Sequence, residues 1–99
     1  MTGTWVADFP NGLRTTCTVK PDGSYSARLC FTNGSVTTLA GRMQIKGGFI
    51  VDTCTKRSDT NAVPFVEKGY IVHIDAHEIV SRWPGSPFDT PTTMKKVGE

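Results

Sequence analysis

The sequence predicts an all-β fold, a small eight-stranded antiparallel up-and-down (meander) barrel, and three observations lead there. Glycine closes a short turn at a fixed interval of 11 residues, in Pro10-Asn11-Gly12, Pro21-Asp22-Gly23 and Thr32-Asn33-Gly34. Between these turns apolar residues alternate with polar ones, the period of two that belongs to strands. Through residue 48, glycine or proline interrupts every stretch of about ten residues, so a helix of ordinary length finds no room there.

Each triplet has the chemistry of a three-residue hairpin loop, a type I turn followed by a left-handed residue, where glycine carries no Cβ penalty. Phe9 then faces Leu13, Lys20 faces Ser24 and Phe31 faces Ser35. One register therefore assigns every neighbouring position to a face. The odd face holds Gly3, Trp5, Ala7 and Phe9, then Leu13, Thr15, Cys17 and Val19, then Tyr25, Ala27, Leu29 and Phe31, then Leu39, Gly41, Met43 and Ile45, and is apolar. The even face holds Thr4, Asp8, Arg14, Thr16, Thr18, Lys20, Ser24, Ser26, Arg28, Thr38, Arg42 and Gln44, and is polar. A fourth triplet, Lys46-Gly47-Gly48, extends the same rule. It predicts Phe49 and Val51 inward, Ile50 and Asp52 outward, and leaves Val6, Val36 and Ile50 as outward apolar residues.

Residues 56–66 read as a long loop. The strand pattern resumes over 69–74, turns at Asp75-Ala76-His77-Glu78 and returns over 79–83. If Ile74 faces Ile79, Val72 meets Ser81 and Tyr70 meets Trp83 as a cross-strand aromatic pair. Pro84, Gly85, Pro87 and Pro91 mark a second long loop, and residues 92–97 make the last strand. This gives eight strands in one domain over residues 1–99, and pairing the first with the last removes both sheet edges.

Up-and-down order puts connections alternately at the two ends. Both long loops fall on one rim, together with Phe9, Phe31, Phe65 and Phe88. Loops on a rigid scaffold commonly carry function, and barrel mouths are recurrent ligand sites. An eight-stranded interior is just wide enough to be filled by side chains or to hold one small ligand. The rim phenylalanines serve as a plug under the first alternative and as a mouth under the second. Inward Gly3, Ala7, Ala27 and Gly41 leave room, whereas Trp5, Tyr25, Met43 and Phe49 consume it. The predicted cavity lies above Trp5, Cys17 and Val19 and is lined by Ala7, Thr15, Ala27 and Leu29, with Thr37, Leu39, Val72 and Trp83 opposite. The hydroxyls of Thr15, Thr37 and Ser81 are able either to orient a polar ligand group or to bond a neighbouring strand.

Gly3-Thr4-Trp5 on the first strand of such a meander resembles the lipocalin and fatty-acid-binding (calycin) superfamily, and more closely the small bacterial lipocalin-like domains, as does the strand of residues 18–25 with its Pro21-Asp22-Gly23 turn. The resemblance covers most of the length. It implies that Trp5 closes the narrow end and that a cation from a late strand, Lys95 or Lys96, packs on the indole face. It also implies a small apolar or amphipathic ligand. The helical lid of fatty-acid-binding proteins has no counterpart between Phe9 and Leu13.

Other chemistry is weakly supported by the residues. His73-x-Asp75-x-His77 places three ligating residues on one face of a strand, but residues four apart on an extended chain are separated by ~13 Å, too far to share a zinc with ~2 Å bonds. Cys30 and Cys54 are read as outward on strands three and five, with strand four between them, so a disulfide is not expected. Three free thiols favour a reducing compartment. A cytoplasmic location is expected, with an export signal already removed as the alternative. A net charge of +2 and two basic pairs, Lys56-Arg57 and Lys95-Lys96, do not make a nucleic-acid footprint. No apolar run reaches the ~20 residues of a membrane helix. No cofactor motif is present, and an enzyme is not expected. Two functions remain in view: a non-enzymatic barrel binding a small hydrophobic ligand at its loop-rich end, or a filled barrel acting in protein contact or homo-oligomer formation.

Overall fold

Three turns of one geometry set the first half of the barrel. In each, the amide of the closing glycine donates to the carbonyl three residues back (Gly12 to Phe9, Gly23 to Lys20, Gly34 to Phe31, 2.9–3.0 Å), and the flanking pair closes at 2.9–3.0 Å. The glycines sit at φ +87°, +87° and +88°. Asn11, Asp22 and Asn33 each accept, through Oδ1, the backbone amide two residues on. An Asx side chain followed by glycine is thus the local code for this loop.

The computed structural model describes residues 1–61, 63–84 and 91–98. Its strands are β1 (Gly3–Asp8), β2 (Arg14–Val19), β3 (Ser24–Cys30), β4 (Val36–Lys46), β5 (Phe49–Arg57), β6 (Phe65–Ile74), β7 (Glu78–Arg82) and β8 (Thr92–Gly98). Each pairs antiparallel with its neighbour in sequence, and β1 pairs with β8 to close the barrel. The all-β meander read from the sequence is therefore the fold. Strands β5 and β6 run further into the first long loop than expected and shorten it to residues 58–64. Among the described residues no helix is long and apolar enough to cross a membrane.

From Gly3 to Met43 the odd-inward rule holds. Trp5, Ala7, Cys17, Val19, Tyr25 and Ala27 are buried and form the core with Ile50, Ile79 and Met94. The rule breaks at the β4–β5 turn. Lys46 pairs with Phe49, so the loop is the two residues Gly47-Gly48 and not a triplet. Only Gly47 has positive φ, at +59°, the pattern of a type II′ turn. A three-residue loop pairs odd with odd, whereas a two-residue loop pairs odd with even. Every side chain of β5 consequently changes face relative to the expectation. Ile50 is fully buried, Asp52 and Cys54 point inward, and Phe49 is 38% exposed. Phe49 lies outside against Tyr70, with ring centroids 5.1 Å apart. The outward apolar set of Val6, Val36 and Ile50 loses its third member.

Two irregularities then adjust the register. Between β4 and β5, Gly41 pairs with Cys54 but Ala40 pairs with Lys56, so Thr55 is an extra residue. This bulge restores Arg57 to the inward face, opposite Leu39. Between β6 and β7, Ile71 pairs with Ser81 and His73 with Val80, which leaves Val72 unpaired and 57% exposed. Ile74 does face Ile79, but Tyr70 meets Arg82 and not Trp83. Cys54 is buried, contrary to its expected outward direction, and Cys17, Cys30 and Cys54 are all free thiols.

Gly41 leaves no free volume, because a Cβ there would run into the Thr53 carbonyl and approach the Cys54 Cα at 2.9 Å. Gly3 is similarly committed: it sits at φ +123°, and a Cβ would meet Lys96 Cε at 2.6 Å and the Gly98 carbonyl at 2.7 Å. The Gly41→Ala substitution is expected to destabilise the barrel by about 1–3 kcal/mol through overpacking against backbone. Gly48→Ala, at a position with open space and no positive φ, should stay within about 0.5 kcal/mol of the parent. Chemical denaturation of the two variants side by side checks both.

Candidate ligand-binding site

The interior is divided by strand. The wall made by β1 to β4 inherits the odd face of the sequence and offers Ala7, Leu13, Ala27, Leu29, Leu39 and Met43, while β8 adds Met94. The facing wall, from β5 and β6, carries the residues that the two-residue turn and the Thr55 bulge turn toward the cavity: Asp52 and Arg57, both half-buried, and Glu67, which borders it while remaining exposed. Between the walls lies a cavity of about 620 Å³, within the ~300–1,000 Å³ of small-molecule sites. It reaches the rim at Phe9, Asn11, Leu13, Arg57 and Pro84, the end that bears both long loops.

The polar wall is ordered in depth. Arg57 lies at the rim, where its guanidinium makes two bonds to Asp59, both 2.8 Å, and sits 5.7 Å over the Phe65 ring. One inward position below Cys54, Asp52 is directly paired across strands with Glu67. The Tyr25 hydroxyl crosses from β3 and donates to Asp52 Oδ1 at 2.6 Å. Burial pushes the Asp52 carboxyl above the ordinary carboxylate value; the Tyr25 bond works against that shift and the neighbouring Glu67 charge adds to it. Burial, with the Asp52 bond and charge, also pushes the Tyr25 phenol up, so it stays protonated and remains the donor. Cys17, on the cavity floor, is pushed up to about 12, chiefly by burial and secondarily by Asp52. A thiol so placed is protonated at neutral pH and is a poor nucleophile.

Of the residues expected from sequence to line a site, Phe9, Thr15, Ala27, Leu29, Leu39 and Trp83 lie on this cavity. Thr37 is buried but lies off the lining. Phe31 is exposed, and Phe65 is half-buried beneath Arg57. Val72 faces outward because of its bulge, a correction to its expected place in the cavity. Phe88 lies outside the described residues. The Trp83 indole covers Gly69, where a Cβ would meet the ring at 2.6 Å, and its Nε1 donates to the fully buried Ser81 hydroxyl at 2.9 Å. Ser81 is thus spent on positioning the indole, and Thr15 is the expected hydroxyl that reaches the cavity.

At the closed end, Trp5 donates from Nε1 to the Met1 carbonyl at 3.0 Å and pairs in register with Lys96, which lines a small cleft beside it with Ile74 and Ile79. Of the two lysines expected near the indole, the register selects Lys96. His73 and Asp75 form an exposed 2.9 Å pair, and the Asp75 second oxygen accepts the His77 and Glu78 amides, so this segment is turn chemistry. Among the described residues no group of three ligating side chains could hold a metal.

Asp52 gives a signed pH prediction. Its folded pKa lies above the ordinary value, so the folded state holds the proton more tightly than the unfolded chain. The cost to stability is absent below the unfolded pKa, grows as pH rises through the interval to the raised folded pKa, and is fully present above it. Asp52→Asn retains an acceptor for Tyr25 and removes the charge. It should raise Tm at pH 7, with the gain shrinking as pH falls through the carboxylate range, measured by thermal melts of both proteins from pH 3 to 8.

No protein-family model matches the chain, and no curated protein sequence is significantly similar to it. Among solved structures the fold matches a lipocalin-like protein from Bacteroides uniformis, with a TM-score of 0.65 and 16% sequence identity over 97% of each chain. At that identity the likeness concerns architecture, and the chain has a lipocalin-like barrel fold.

Proposed function

We propose that this protein is a non-enzymatic binding barrel that takes one small amphipathic molecule into the cavity at its loop-rich end. The observation that carries this reading is the cavity itself, about 620 Å³ with an aliphatic wall on one side and Asp52, Glu67 and Arg57 on the other. A barrel built only for stability gains nothing from holding a half-buried carboxylate beside unfilled space, since empty volume and partial desolvation of a charge both cost free energy. The lipocalin-like architecture supports the same reading. A catalytic role finds little support in the thiol, because Cys17 stays protonated.

Trp83 is the natural reporter, since its ring lies on the cavity. A polarity-sensitive apolar dye should bind with one site per chain and change Trp83 emission. Leu29→Trp, which fills the cavity from its apolar wall, should weaken that binding by about tenfold or more, or 1.4 kcal/mol, while far-UV circular dichroism and Tm stay near the parent's. Unchanged dye affinity in a folded Leu29→Trp variant would reject the cavity as the site.

A further inference from the structure

The polar wall of the cavity carries a sign, and the sign selects a class of ligand. Among the described residues three charged side chains line the cavity, the carboxylates Asp52 and Glu67 and the guanidinium Arg57. The guanidinium is already matched, because Asp59 holds it through two 2.8 Å bonds from outside the lining. The carboxylates have no ion pair of their own among the described residues, and the Arg57 charge reaches both only as a secondary influence. Asp52 accepts from the neutral Tyr25 phenol through Oδ1, and Glu67 has no ion-pair partner among the described residues. The two acids are also direct cross-strand partners on β5 and β6, an arrangement in which like charges repel.

We propose that the ligand head group is a protonated amine, seated between Asp52 and Glu67 with its apolar body against Leu29, Leu39 and Met43; the inference rests on the cavity being the binding site. A cation there meets two acceptors and relieves their mutual repulsion, and hydrogen bonds between charged partners are the strong ones. A carboxylate head group finds the opposite. It would face two like charges, and the cation that could answer it is held by Asp59. The rise in the Asp52 pKa agrees with this geometry, since burial and Glu67 disfavour its charge more than the Tyr25 bond and Arg57 favour it. Tyr25 fixes the carboxylate in place, and Arg57 closes the rim above it.

Three probes of equal chain length separate the possibilities: octylammonium, octanol and octanoate, each titrated into the full chain at pH 7 with tryptophan emission as readout. Octylammonium should bind about tenfold or more tightly than octanol, and octanoate should bind more weakly than either. Asp52→Asn and Glu67→Gln should each reduce the ratio of octylammonium to octanol affinity measured in the same variant. The octanol titration also shows that each variant is folded. Octanoate binding as tightly as octylammonium, or an amine preference that survives both substitutions, overturns the proposal and leaves the cavity reading standing. Failure of all three probes to bind overturns both.

Discussion

The length of one turn determines what the inside of this barrel is made of. Strand side chains alternate strictly, so a hairpin loop of three residues keeps odd positions facing odd and a loop of two exchanges them. Three consecutive loops of three hold the odd face inward through β4, and then Gly47-Gly48 exchanges the faces. Ile50 enters the core and replaces Phe49 there, which stabilises the closed end. The same exchange turns Asp52 toward the cavity, beside its cross-strand partner Met43, where its side-chain hydrogen bond is the one from the Tyr25 phenol. Pairing then imposes the new phase on β6, so Glu67 follows Asp52 inward. The acidic wall is thus a register consequence of a single turn.

Had the exchange run uncorrected to the end of β5, Lys56 would face the mouth. The bulge at Thr55 restores the earlier phase and presents Arg57 in its place, opposite Leu39. Gly41 lets the bulged strand approach so closely, because any side chain there would meet the Thr53 carbonyl. Arg57 suits the rim: its planar fork meets the Asp59 carboxylate on two bonds while its face rests over Phe65. The second bulge, at Val72, similarly returns Ile74 to the inward face opposite Ile79 at the closed end. Both irregularities sit where the barrel changes from one requirement to another, charged mouth to buried wall in one case and wall to floor in the other.

This pattern explains how much the sequence discloses. Asx-glycine turns at 11–12, 22–23 and 33–34 act locally, each satisfying its own backbone, so they are legible without the fold. The alternation from Gly3 to Met43 is legible for the same reason, and with it the cavity positions of Ala27, Leu29 and Leu39. Lys46-Gly47-Gly48 is ambiguous in the sequence: its end imitates the earlier triplets, while Gly47-Gly48 alone is itself a two-residue hairpin signal. The decisive clue lay further on. Ile50 and Cys54 are apolar at even positions and end up buried, whereas Phe49 and Val51 could tolerate a half-exposed outer face. Bulges at Thr55 and Val72 have no comparable local signature, because they reconcile strands whose phases were set elsewhere. The misplacement of Val72 and the omission of Asp52, Arg57 and Glu67 from the expected site therefore have a common origin in register.

The division between walls has a further consequence for recognition. In a barrel whose polar groups lie only at the mouth, an amphipathic guest is held end-on, with its head at the rim. Here the acids sit below the rim on one side, the aliphatic residues stand across from them, and the rim cation is neutralised by its own partner. For the proposed amphipathic guest, recognition would then be lateral, with polarity presented to β5 and β6 and hydrocarbon to β2, β3 and β4 at the same depth. Chain length matters less under that constraint than the spacing between head group and apolar body. The indole of Trp83, fixed by Gly69 beneath it and Ser81 beside it, stands on the same cavity and limits its width. Because Asp52 and Glu67 come from adjacent paired strands and Tyr25 from across the barrel, the acidic wall is held by the sheet and not by a loop. In the proposed binding barrel, selectivity would thus reside in the rigid wall.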